Sequence, residues 1–116
     1  MSKVIKISSI TPMAMTEDAG MQLRKEMREA IQQEENIVLD FEQISLFSTP
    51  FFNASIGYFV MNLSPEKYKE QVKVINLSNL GKETYSHSYQ NAVSVYENKT
   101  DTEMIGKITM ETIEQQ

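Results

Sequence analysis

Two adjacent hydroxyls, Ser48 and Thr49, stand directly before Pro50 and a run whose apolar residues Ile56, Phe59, Val60 and Leu63 recur at helical spacing. A hydroxyl at a helix head accepts from a backbone N–H that has no partner inside the helix. Proline suits the first helical position, because the N–H it lacks would go unpaired there. The pattern predicts a helix from Pro50 to Leu63 with Thr49 as its N-cap. Upstream, Asp40 closes the apolar run Ile37-Val38-Leu39, and Glu42 follows two residues later. A carboxylate at a strand end either binds a ligand, as open α/β sheets do at that edge, or caps the loop that follows. Two acids without a neighbouring His, Cys or third acid do not make a metal site. His87, the only histidine, is flanked by Ser86 and Ser88. Helix neighbours point in different directions, so the three do not form a triad and His87 is expected on the surface.

Other chemistry is missing from the pattern. There is no cysteine, and the four glycines, Gly20, Gly57, Gly81 and Gly106, are isolated, so no phosphate-cradling loop is present. No HExxH, GxSxG or CxxC occurs. The expectation is a protein that is not an enzyme and carries no cofactor or metal.

The elements that position these residues follow from periodicity. Val4, Ile5 and Ile7 mark a first strand near a sheet edge. Thr16, followed by Glu17 and Asp18, reads as a hydroxyl cap with acids in the first turn, where the helix dipole favours them. Leu23, Met27, Ala30 and Ile31 form the buried face of that helix, and Gly20 either lets it approach the strand beneath or is a tolerated weak spot. Ile37 to Leu39, apolar at every position, suit a central strand buried on both faces. After Ser64-Pro65, which resets the chain, Val72, Val74 and Ile75 make a third strand. Ser78 or Asn79 then caps a helix whose stripe is Tyr85, Tyr89, Ala92, Val93 and Tyr96. The order βαβαβα predicts an α/β fold, a small, mostly parallel sheet with helices packed on it. Residues 1–97 form this domain. Residues 98–116 are an extension that reads equally as an edge strand, a helix or a partly disordered tail.

Composition bounds the function. At 116 residues, 41% apolar and 23% charged, the chain is one soluble domain with a modest core. A net charge of −5 argues against nucleic acid, which needs clustered Lys and Arg. The N-terminus lacks the apolar core of a signal peptide, and no run reaches membrane-spanning length, so a cytoplasmic location is expected. Oligomeric state is left open. Eight methionines, among them Met13, Met15, Met21 and Met27, serve either as core filler or as lining for a protein-binding groove.

An apolar strand ending Leu-Asp, a short loop, and hydroxyls at the head of an apolar helix resemble the STAS fold of bacterial anti-sigma-factor antagonists. The stretch is closer still to the STAS-like domain family of unknown function, whose members read V-x-L-D-F-x-x-I-x-x-x-S-x-x-F before a Gly-containing helix. Val38, Leu39, Asp40, Phe41, Ile44, Ser48, Phe51 and Gly57 fill that pattern, and Tyr68 to Ser78 match the next strand and turn. The resemblance covers Lys3 to about Glu97. In the antagonists a serine of this loop is phosphorylated by a histidine-kinase-like ATPase, which releases the partner. Against their Asp-Ser-Ser-Gly pattern Thr49 falls at the phosphorylated position, Ser48 replaces the Asp and Phe51 the Gly. Asn53 sits where the STAS-like family often carries an acid.

The resemblance implies a regulatory protein–protein interaction domain, switched at Thr49 or Ser48, whose partner is such an ATPase or another regulatory protein. Phe51, Phe52, Ser55 and Tyr58 are the docking candidates. The alternative is a small-ligand or nucleotide-sensing module that uses Asp40, Asn53 and Asn76 near the strand ends.

Overall fold

Valine and isoleucine dominate three short runs, and their branched side chains suit a pleated, half-buried surface. In this computed structural model, which describes residues 2–114 and side chains through residue 98, the runs are β1 (Ser2–Lys6), β2 (Asn36–Asp40) and β3 (Val72–Ile75). They pair in parallel in the order β1-β2-β3, with Val4 opposite Val38 and Leu39 opposite Val74. The edge position expected for the first strand is the one it occupies.

The register divides the sheet into unequal faces. Ile5, Ile37, Leu39 and Val72 point into the core, whereas Val4, Lys6, Lys73 and Ile75 are exposed on the other side. Val38 is half-buried on that outer face, so the central strand is not buried on both sides as its apolar run suggested. Topology supplies the reason. Right-handed crossovers that step in one direction, β1 to β2 to β3, leave every helix on the same side.

Helix α1 (Glu17–Gln32) opens on Thr16, whose hydroxyl accepts from Ala19 N–H at 3.1 Å. Leu23, Met27 and Ala30 are buried as their spacing requires. Gly20 is buried too, but it faces a helix and not a strand. A Cβ there would lie 2.5 Å from the Phe51 carbonyl oxygen and 2.9 Å from Ala54 Cβ.

The second crossover departs from the simple βαβαβα order. Helix α2 (Thr49–Phe52) winds through a π-turn (Asn53–Gly57) into α3 (Tyr58–Leu63), and a separate helix, α4 (Pro65–Gln71), precedes β3. The break falls at Ser64, whose φ of 101° no helix accommodates and whose hydroxyl caps α4 by accepting from Lys67 N–H at 3.3 Å. Its sequence, PEKYKEQ, conceals its one core contribution, the buried Tyr68. The last helix, α5 (Asn79–Glu114), is capped by Ser78, which accepts from Gly81 N–H at 3.2 Å. Its backbone stays helical past Asn98, into the span expected to be an extension.

Candidate functional site

Parallel strands end at one edge, and here two loops leave that edge side by side. Ala14 and Phe47 form an isolated parallel bridge: Ala14 N–H donates to Leu46 O at 3.0 Å, and Ser48 N–H to Ala14 O at 2.9 Å. Extended backbone alternates its side chains. Ala14 is buried and Phe47 half-buried, while Met13 (47% exposed), Met15 (41%) and Leu46 (47%) flank them on the surface. The Ser48 hydroxyl joins the two loops by donating to the Met15 carbonyl. Ser48, extended at φ −142° and ψ 157°, is the N-cap residue of α2, although its side chain does not cap the helix. Thr49 is already helical and half-buried, so the cap lies one residue earlier than the hydroxyl-Pro pattern placed it.

Three of the four docking candidates are enclosed. Phe51, Phe52 and Ser55 are fully buried, and Phe52 packs among Phe41, Phe47, Phe51 and Tyr85. The Ser55 hydroxyl is spent on Phe51 O at 2.8 Å. A helix start that fills the gap between a sheet and α1 turns its aromatic residues inward, which sequence spacing alone does not reveal. Tyr58 is half-buried, with Arg24 over its ring. The exposed apolar side chains beside Ser48 are instead the methionines and Leu46.

The strand-end candidates fall into two places. Asp40 Oδ1 accepts from Asn76 Nδ2 at 2.9 Å and from Glu42 N–H at 3.0 Å, so this carboxylate ties β2 to the end of β3 and turns its own loop. Those two bonds, the Asn76 one foremost, hold Asp40 below its ordinary pKa of 3.8. Asn53 lies elsewhere, lining an open groove with Gly57, Met61, Asn91, Ala92 and Val95. Glu42 shares a small hollow of about 90 Å³ with Asp40, Lys6, Ser8 and Gln43, and His87 is not part of it. Among the described residues no group of three or more His, Cys, Asp and Glu is placed to hold a metal ion. Nor is any helix there long and apolar enough to cross a membrane.

A family described as a STAS-like domain of unknown function matches residues 19–82, more than half of the chain. The chain belongs to that STAS-like family. The match covers all but the first two residues of α1, the central strand, the Ser48 loop and β3, and is shorter at both ends than the span from Lys3 to Glu97. No curated protein and no solved structure matches.

Within this STAS-like domain the remaining polar groups are structural in placement. The Tyr68 and Tyr85 hydroxyls bond each other. Burial pushes Tyr85 up to about 12 and raises Tyr68 well above the ordinary tyrosine value, so neither exchanges protons near neutral pH. His87 is exposed while its neighbour Ser88 is fully buried, with a hydroxyl that has no partner among the described residues. Sequence spacing missed the pairing of Met13 and Met15 with Leu46. Those segments are more than thirty residues apart, and only the alternation around Ala14 and around Phe47 hinted at it.

The Asp40 tether has a pH signature. A carboxylate whose pKa is lowered by folding stabilises the native state above its unfolded value, and that contribution is lost as pH falls through the folded value. Asp40→Asn is therefore expected to be less stable than the parent at pH 7. The difference should begin to shrink below about pH 4 and close only once pH has fallen through the lower folded value, where both chains carry a neutral group. Urea midpoints across that range test it. An unchanged gap at low pH would show that the negative charge is not what holds the tether.

Proposed function

We propose that this domain acts by binding another protein through the edge formed by Met13, Met15 and Leu46, with the Ser48 hydroxyl as the switch of that surface. The observation that carries the reading is the hydroxyl's position. It donates to the Met15 carbonyl and so helps fix the two loops that display the exposed apolar side chains. Methionine adapts to irregular partner surfaces, and clustered exposed apolar side chains mark interaction sites. Phosphorylation of Ser48 removes the donor proton, so the bond to Met15 is lost. It also adds about −1.5 to −2 charge beside an apolar patch that a partner must desolvate. Release of the partner follows from both effects.

Thr49 is the second acceptor in this reading, one residue further on and half-buried in the first turn of α2. The partner class is that suggested by the likeness to anti-sigma-factor antagonists, a histidine-kinase-like ATPase that both binds the domain and modifies it.

Incubation of the protein with ATP and lysate of its native host tests the switch. One phosphate should appear and map to Ser48 or Thr49 by peptide mass analysis. Ser48→Glu should lose the ATPase that the parent chain retains, while its thermal transition stays within a few degrees. An unmodified protein, in a lysate that phosphorylates a control substrate, would remove the switch. A Met15→Asp chain that still holds the same ATPase would remove the surface.

A further inference from the structure

Arg24 and Arg28 lie one turn apart on α1, and both guanidinium groups close on one aromatic ring. Their central carbons stand 4.1 Å and 5.5 Å from the centroid of Tyr58. Arg24 Nε donates to the Ala54 carbonyl at 2.6 Å, inside the π-turn, and an Nη of Arg28 donates to the Tyr58 hydroxyl at 3.3 Å. Among the described residues neither guanidinium has a carboxylate partner. Two features make this more than a solvated face. Like charges one turn apart weaken a helix, yet in a chain of net charge −5 no carboxylate among the described residues pairs with them. The pair is also fastened to a π-turn, a rare element that recurs at functional sites.

The remaining donors have a direction. Among the described residues Arg24 spends only its Nε, so both of its Nη groups are left, and contact with the Tyr58 face restrains both planar forks before anything binds. Four residues of α-helix rise about 6 Å. Alternate residues of an extended chain stand about 6.6 Å apart with side chains on one side. The two arginines thus leave α1 at about the spacing of alternate residues in an extended segment, so carboxylates at such positions can each reach one guanidinium with charge-assisted bonds.

We infer that Arg24, Arg28 and Tyr58 form an anchor for an acidic, extended segment of a partner protein, with acids at every second residue. The anchor lies roughly 15 Å along the α2–α3 helix from Ser48, taking about 1.5 Å per residue. It is independent of the switch proposed there, and either can fail alone.

The test follows the Arg Nε–Hε and Tyr58 amide NMR signals of the full chain during titration with a Glu-Ala-Glu-Ala-Glu peptide. Its glutamine counterpart and inorganic phosphate serve as separate arms. The expected result is a saturable shift confined to Arg24, Arg28 and Tyr58 with the glutamate peptide, absent with the glutamine one. Arg28→Gln is the chosen variant because, among the described residues, the only side-chain hydrogen bond of Arg28 is to the Tyr58 hydroxyl, so the fold should survive. It should weaken binding on the order of tenfold or more. Ser48→Glu should leave the titration unchanged. Equal shifts with the glutamine peptide, an unchanged affinity in Arg28→Gln, or shifts spread over all the basic residues would each overturn the inference. Saturation by phosphate without a response to the peptide would also overturn it, by assigning the pair to a small oxyanion.

Discussion

Phe52→Ala is expected to cost about 3–5 kcal/mol, the range for emptying a fully buried aromatic site. The ring has no exposure and sits at the centre of an aromatic cluster. Its centroid is 5.8 Å from Phe41, 6.0 Å from Phe47 in a stacked pair, 5.3 Å from Phe51 and 5.5 Å from Tyr85, the last two edge-on. These neighbours come from the loop after β2, from α2 itself and from α5, so the cavity would loosen the meeting point of the helical layer. Small domains hold only about 5–15 kcal/mol in total, and the variant should be partly unfolded at 37 °C. Because the chain has no tryptophan, far-ultraviolet circular dichroism in a urea series is the suitable readout. Phe52→Leu, which keeps most of the volume, should lose less than about 1.5 kcal/mol. The pair of variants separates core from surface. If Phe52→Ala kept the parent's midpoint and lost only a binding partner, the ring would be a docking residue after all.

Phe52 also marks where sequence reading reaches its limit. The strand Ile37–Leu39, the cap Thr16, the buried stripe of α1 and the break before Pro65 were all legible, because each depends on residues within a turn or two of one another. The family was legible for a similar reason: Asp40, Phe41, Ile44 and Ser48 fall in one continuous stretch. What was not legible depends on contacts between distant segments. Phe51 and Phe52 are docking candidates by sequence, but three strands covered on one face leave α2 and α5 to close over them. Whether Ser48 or Thr49 caps α2 turned on one backbone conformation. The loop of Met15, more than thirty residues away, decided where the Ser48 hydroxyl points. Arg24 and Arg28 carry no signal in the sequence beyond two charges four residues apart on α1. Only the crossing of α1 over the π-turn gives them a ring and a carbonyl to hold.

Gly20→Ala is expected to lower stability by about 1–3 kcal/mol, the usual cost of overfilling a tight contact. Local preference predicts the opposite sign, since replacing glycine by alanine within a helix favours it by about 0.8–1 kcal/mol. The outcome therefore decides which effect governs this position. The new methyl would stand 2.5 Å from the Phe51 carbonyl oxygen and 3.2 Å from its carbon, backbone atoms that cannot rotate away as a flexible side chain does. To make room, α1 and α2 must separate. Gly57 provides the control, because a Cβ there would meet the Phe52 oxygen at 3.4 Å and Ala92 Cβ at 3.8 Å, ordinary contact distances. Gly57→Ala should therefore be near neutral, within about 1 kcal/mol of the parent. Thermal melts of the two variants side by side suffice, and a Gly20→Ala chain that melts above the parent would refute the close approach. The consequence extends beyond stability. The same crossing sets the 2.6 Å bond from Arg24 to Ala54, so a separated α1 would withdraw that guanidinium from Tyr58. Gly20→Ala should accordingly weaken acidic-peptide binding together with stability, whereas Arg28→Gln weakens binding alone.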